Sequence, residues 1–334
     1  MSAAFVGTIT AFWAGMGYSA LLKTFQKSCP LRPVFRWAGN CLLVGIGLKA
    51  GLSVAGARAG PGSEWVPISL LALAGMGWGV IMPRLLAPRL ARWLQWSPCD
   101  AALLAGTYGS VSVMTFALAV AFFDQGPSPV SGLFSVLLLV MELPALLSVV
   151  AKWGSPQAVA CGETPDAPSL PWRGSVLGHV CGSSVVQLMV GSAVVGGAVA
   201  SFGQEHLVRQ ALQLLPLCIP VFLFGQGASL PDDWRSLFRV THLRLLIVGV
   251  LLPVLQGLLG FCLAWMVGCS VEGIALFAIL MSSASYLAAP ALLGKFFSSD
   301  KLPLCTALSL TVTFPFNVLV GIQLWDFLAR GLAS

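Results

Sequence analysis

Charge is what this chain has least of. Lys and Arg number 18 and Asp and Glu 12 in 334 residues, 9% together, where soluble domains carry roughly 25%. That shortage excludes an ordinary soluble domain and a charge-rich disordered segment. The nine cysteines are scattered, with no CxxC pair and no Cys/His cluster, so neither a transition-metal site nor a disulfide framework is supported. The net charge is +6, but no basic run is dense enough to track phosphates, which argues against a nucleic-acid partner. The first apolar run has no basic region before it and no convincing cleavage signal after it, so it reads as a retained span. What the chain has in quantity is apolar surface: 57% hydrophobic residues, 36 glycines and 21 prolines, with a mean hydropathy of +0.89. Glycine and proline are commoner in membrane helices than in soluble ones. The composition describes a polytopic membrane protein.

A hydrocarbon core about 30 Å thick needs about 20 apolar residues per helix. Runs of that kind lie near 4–22, 34–54, 65–83, 99–122 and 131–151, and again near 176–200, 207–229, 241–266, 271–293 and 303–328. The expectation is an all-α fold of ten spans, five in residues 1–151 and five in 176–334, joined by a polar linker at 152–175. Fourteen of the 18 Lys and Arg residues fall on odd-numbered connections, among them Lys23, Arg36, Arg84, Arg92, Lys152, Arg244 and Lys301. Four, namely Lys49, Arg58, Arg209 and Arg330, fall on the even side. The positive-inside rule then makes the odd loops cytoplasmic and places both termini on the extracytoplasmic side.

Five spans per half would make the second half an inverted copy of the first. Weak internal symmetry agrees. Asp100 opens span four and Ser110-Val111-Ser112 follows ten residues on, while Glu272 opens span nine and Ser283-Ala284-Ser285 follows eleven residues on. Span two carries Gly45, Gly47 and Gly51, and span seven Gly225 and Gly227; Pro144 interrupts span five and Pro315 span ten. Interrupted helices at corresponding places in inverted repeats point to a transporter's binding site. Gly106 and Gly109 make unwinding of span four cheap, since each glycine weakens a helix by about 1 kcal/mol relative to Ala. A break there bares amide donors at the start of the next half-helix, suited to a small anion without a buried Arg or Lys. Freed carbonyls and hydroxyls suit Na⁺. Ser282–Pro290 in span nine offers the same chemistry from the other half, although small residues also serve close helix packing.

Among other residues, Glu142 is an ionisable group at membrane depth and a functional candidate by default; a helix-end carboxylate is the plainer reading. Asn317 offers a side-chain oxygen to a cation or a hydrogen bond between helices. Asp100 and Glu272 sit where helices start and suit dipole capping. The Gly45/Gly47/Gly51 set belongs to no βαβ unit, so helix packing is its reading.

Several stretches resemble the sodium-dependent bicarbonate transporter family. They are Asp100-Ala101-Ala102 running into Tyr108-Gly109-Ser110-Val111-Ser112, Met141-Glu142-x-Pro144-Ala145, Ser283-Ala284-Ser285-Tyr286 with Ala288-Ala289-Pro290-Ala291, and Val312-Thr313-Phe314-Pro315-Phe316-Asn317. The resemblance implies a bile-acid-symporter-like fold with a scaffold of helices 1, 2, 6 and 7 and a mobile core of helices 3–5 and 8–10, in which broken helices four and nine cross near the bilayer centre. It implies elevator-like, Na⁺-coupled uptake of bicarbonate across the plasma (inner) membrane, a homotrimer, and a PII-type regulatory protein on the cytoplasmic face. No cofactor beyond the coupling Na⁺ and no enzymatic activity are implied. Carried over, Gly109, Ser110, Val111, Ser112, Ser283, Ala284 and Ser285 would hold the anion, and Thr115, Tyr286, Ala288, Glu142 and Asn317 are the sodium candidates. The chain departs from the family pattern at Thr107, where His is common, at Gln226, where an acid is common, and at Leu143, where Ser is usual. The rival readings are a same-fold symporter for another small carboxylate, coupled to Na⁺ or to protons, an intramembrane enzyme, and a passive anion channel.

Overall fold

The computed structural model describes residues 3–24, 31–59, 65–123, 132–154, 184–228, 237 and 243–333. Most of the 152–175 linker, the start of the sixth run, and His179 and His242 lie outside them. The described residues are helical, with no strand among them. The first half contains α1 (Ala3–Thr24), α2 (Arg32–Ala59), α3 (Trp65–Leu94), α4 (Pro98–Gly109), α5 (Val113–Phe123), α6 (Phe134–Met141) and α7 (Pro144–Trp153). The second contains α8 (Ser184–Ser201), α9 (Glu205–Leu212), α10 (Leu215–Ala228), α11 (Leu243–Met266), α12 (Val271–Ser282), α13 (Ala288–Leu293) and α14 (Lys301–Leu308). After α14 the helix continues through a π turn at Ser309–Thr313, α15 (Phe314–Phe316), a second π turn at Asn317–Gly321 and α16 (Ile322–Ala333). Among the described residues, seven helical segments are long and apolar enough to cross a membrane, and Val186–Ser201 and Val271–Ser282 are shorter apolar helices.

Helix ends follow local chemistry. Ser97 caps α4: its Oγ accepts from the Asp100 amide at 3.1 Å, donates to Asp100 Oδ2 at 2.8 Å, and Pro98 follows at the first position, where a missing N–H costs nothing. Ser270 caps α12 by accepting from the Gly273 amide at 3.2 Å. Asp100 does more than favour a helix dipole, because its Oδ1 also accepts from Ser299 Oγ in the 294–300 connection. One boundary differs from expectation. The third apolar run ends near residue 83, yet α3 runs to Leu94 with Pro83 and Pro88 inside it. Arg84 marks where the apolar stretch stops, and charge ends a hydrophobic span without ending a helix.

Glycine sets the packing of two helix pairs. A Cβ on Gly51 of α2 would collide with the Ala193 carbonyl oxygen of α8, and one on Gly227 of α10 with the Phe12 carbonyl oxygen of α1. Backbones approach there without side chains between them, as at small-residue interfaces in membranes. The packing reading of the span-two glycines is therefore observed. α1, α2, α8 and α10 pack mainly on one another; α3 packs on α4 and α7, and α12 on α11, α5 and α16. Leu70, Leu73, Val194, Leu217, Leu251 and Leu255 stand exposed on the outer faces, as lipid-facing side chains would.

Candidate functional site

Both expected breaks are present, and they meet. α4 ends at Gly109 and Ser110 turns extended (φ −100°, ψ 155°); α12 ends at Ser282 and Ser283 turns extended (φ −81°, ψ 163°). Each half-helix then restarts under a serine two residues further on: Ser112 Oγ accepts from the Thr115 amide at 3.3 Å, and Ser285 Oγ from the Ala289 amide at 3.2 Å. Two hydrogen bonds tie the breaks together. The Ser112 amide donates to Ser283 Oγ at 2.8 Å, and the Ser285 amide donates to the Thr107 carbonyl at 2.9 Å. These contacts join residues more than 170 positions apart, and all the serines involved are buried.

The remaining valences are specific. Ser110 Oγ donates to the Glu142 carbonyl at 2.6 Å, and Ser283 Oγ to the Leu280 carbonyl at 2.7 Å. The central amides of the two triplets, on Val111 and Ala284, make none of the hydrogen bonds found among the described residues; both residues are 3% exposed. Val113 and Met114, in the first turn of α5, have no intrahelical acceptor either. Buried amides are almost always paired, so these donors at the crossing stand out.

Gly109 is closed in by neighbours, since a Cβ there would come within 2.8 Å of Ala145 Cβ and 3.2 Å of Pro83 Cγ. The glycine lets the end of α4 settle against α7 and α3. Of the sodium candidates, Thr115, Tyr286, Ala288, Glu142 and Asn317 are all buried. Asn317 Nδ2 donates to the Ser282 carbonyl at 2.8 Å, so the helix-bridging reading is realised, while its Oδ1 is buried without a donor. The Tyr286 ring packs edge-on against Phe314 with centroids 5.7 Å apart. Its hydroxyl lies beside Ser112 without reaching hydrogen-bond geometry. Glu142 sits in the break between α6 and α7, and its carboxyl receives no hydrogen bond or ion pair among the described residues. No bond links Glu142 to Asn317: the first is attached to the Ser110 side of the crossing, the second to the Ser282 side.

Sequence reasoning missed one group. Tyr108 OH and Thr313 Oγ1 are 2.6 Å apart, and Thr313 Oγ1 donates to the Gly249 carbonyl at 2.8 Å. Thr313 has one proton and spends it on Gly249, so Tyr108 is the donor in the first bond. The chain fastens the last turn of α4 to α11 and to the π turn before Pro315. The available signal was a tyrosine inside an apolar run, since a buried phenol requires a partner. An apolar cleft is lined by Phe12, Trp13, Leu118, Leu223, Phe314 and Pro315, and its Phe314 ring is the one that packs against Tyr286.

Taken together, these features define a polytopic α-helical membrane protein with a polar crossing of two broken helices inside an apolar bundle. The sequence model of the Na⁺-dependent bicarbonate transporter superfamily matches residues 8–330, nearly the whole chain, and the chain belongs to that family. A search of curated proteins gives no match.

Proposed function

We propose that the protein is a secondary active transporter that brings bicarbonate inward in symport with Na⁺. The observation that carries this reading is the pair of unwound serine triplets, hydrogen-bonded to each other and holding unspent amides on Val111 and Ala284. In this reading Gly109, Ser110, Val111, Ser112, Ser283, Ala284 and Ser285 surround the anion. Oxygens around Thr115, Tyr286, Ala288, Glu142 and Asn317 serve Na⁺. Family membership supports both ions. Coupling is also sensible energetically. Moving one anion inward against a negative-inside potential costs about 2.3 kcal/mol per 100 mV, and one co-transported Na⁺ cancels that charge.

Adding α1 and the two shorter apolar helices to the seven long ones brings the spans to ten, which supports inverted halves at 1–151 and 176–334. The mutual packing of α1, α2, α8 and α10 supports a scaffold distinct from a core that carries the crossing, and an elevator-like movement of that core is the proposed route. A homotrimer in the plasma (inner) membrane, with a PII-type regulator on the cytoplasmic face, completes the proposal on the strength of the resemblance, and the distribution of Lys and Arg puts both termini outside. Catalysis is disfavoured by the serines themselves: Ser110 and Ser283 donate to backbone carbonyls rather than to a base, and a serine nucleophile needs one. The test is labelled bicarbonate uptake into proteoliposomes with and without an inward Na⁺ gradient. Gradient-dependent, saturable uptake is expected; uptake that ignores the gradient, or none, defeats the reading.

A further inference from the structure

Helix α3 outlasts its apolar run, and the part beyond that run is exposed in an unusual mixture. From Trp65 to Pro83 a helix rises about 28 Å, nearly the thickness of a hydrocarbon core of about 30 Å. In a spanning helix Arg84 therefore arrives at the level of the lipid headgroups. Over the next three turns the exposed side chains are Arg84, Leu85, Pro88, Arg89, Arg92 and Trp93, at positions that recur every three or four residues and so share one face. The opposite side, Met82, Ala87 and Leu90, is buried in the cluster that also holds Leu104 of α4 and Val149 of α7. On the exposed face three guanidiniums stand beside Leu85, 51% exposed, and Trp93, 39% exposed. Hydrocarbon rejects the arginines, and water rejects the bare leucine and indole. The layer between them accepts both, with arginine stems along apolar surface and their heads among polar groups.

The charge of this face has one sign. No Asp or Glu occurs between Glu64 and Asp100, and the Asp100 carboxylate accepts from Ser97 and Ser299. Arg244 of α11 joins the end of the row, its Nη1 donating to the Trp93 carbonyl at 2.7 Å, and Lys301 Nζ lies 5.9 Å from the Trp96 ring centroid. Arg89 Nη1 donates to the Leu85 carbonyl at 2.6 Å, and Arg92 Nε to the Pro88 carbonyl at 3.3 Å. Each bond uses one of a guanidinium's five N–H donors and lays the group along the helix, where its remaining edge suits the bidentate geometry of a phosphate. We propose that the face of α3 carrying Arg84, Arg89 and Arg92, completed by Arg244, binds the phosphate headgroups of anionic phospholipid in the leaflet at the C-terminal end of α3. The inference goes beyond the transport reading, since it uses only the spanning character of the chain. Each basic side chain near an anionic lipid surface contributes about a fivefold gain in affinity, so the three arginines of α3 together contribute roughly 100-fold.

The test needs neither bicarbonate nor Na⁺, so its outcome is separate from that of the uptake assay. Full-length protein in detergent is titrated with phosphatidylglycerol, and in parallel with phosphatidylcholine of the same chains, and bound lipid is counted by native mass spectrometry. The expected result is tighter binding of phosphatidylglycerol, a preference that shrinks as ammonium acetate is raised because salt screens exposed charges. The variant Arg84→Gln/Arg89→Gln/Arg92→Gln should lose roughly 100-fold in affinity for phosphatidylglycerol with phosphatidylcholine binding unchanged. Arg92→Gln alone should lose about fivefold, and it carries the same test if the triple variant does not fold. Equal binding of the two lipids at every salt concentration overturns the proposal, as does a phosphatidylglycerol preference that survives intact in the variants. Inorganic phosphate that binds as tightly as the lipid makes the face a free-anion site and overturns the lipid assignment. So does a second copy of the chain that associates in place of lipid and is lost with the arginines.

Discussion

Replacing Ser283 with alanine isolates the bond that joins the two breaks. Ser283 Oγ has two roles, accepting from the Ser112 amide at 2.8 Å and donating to the Leu280 carbonyl at 2.7 Å. The second role is duplicated, since the Ser283 amide donates to that same carbonyl at 3.2 Å. The first is not. In the variant the Ser112 amide is stranded in a site 4% exposed, and an orphaned buried donor costs about 1–3 kcal/mol. The loss falls on local opening of the crossing, so exchange of the Ser112 amide should quicken roughly 5- to 150-fold, at 1.4 kcal/mol per factor of ten. Ser282→Ala is the matched comparison, because Ser282 Oγ only donates, to the Ile279 carbonyl at 3.0 Å, and strands no amide. Hydrogen exchange read by mass spectrometry on peptides covering 110–116 measures both variants in detergent. Equal protection of this segment in wild type and Ser283→Ala, or equal loss in the two variants, would refute the argument that one serine holds the breaks together.

Two further outcomes follow from the same geometry. Thr313→Val leaves the buried Tyr108 hydroxyl without an acceptor and should cost about 1–3 kcal/mol, whereas Tyr108→Phe strands no donor and should cost about 0.5–1.5; unfolding in detergent that reverses this order would contradict the assigned direction of the bond. Ser110→Ala and Ser285→Ala each remove a hydroxyl from the crossing, and each should depress bicarbonate uptake more than surface expression, with full activity of both ruling out the triplets as the anion site.

The breaks were legible because they are built from composition. Gly106, Gly109 and the serines of 110–112 and 282–285 are poor helix residues placed inside runs long enough to span, and local propensity decides where such runs yield. Pro144 was read correctly for the same reason. At Pro315 the sequence predicts an interruption, and the chain keeps helical dihedrals while widening into a π turn on either side of it. An expanded turn accommodates a misfit that a sequence period does not show. Partners were beyond reach. Nothing near Ser283 says that its oxygen faces Ser112 171 residues away, nor that Thr313 bridges Tyr108 and Gly249. Such pairings are set by how whole helices are stacked, and one sequence has no signal for that. Asn317 shows both sides of the matter: its type suggested either an ion ligand or a cross-helix bond, and packing realised the bond while leaving its oxygen spare.

The bare contact of Gly51 with Ala193 has a mechanical meaning. With no intervening methyls or rings to rotate out of the way, α2 and α8 are locked like two splints bound face to face. Sliding one past the other would mean lifting peptide groups over each other, so this seam resists shear and travels as a single stave. Whatever large displacement the protein makes has to run along boundaries where side chains, rather than backbones, form the bearing surface.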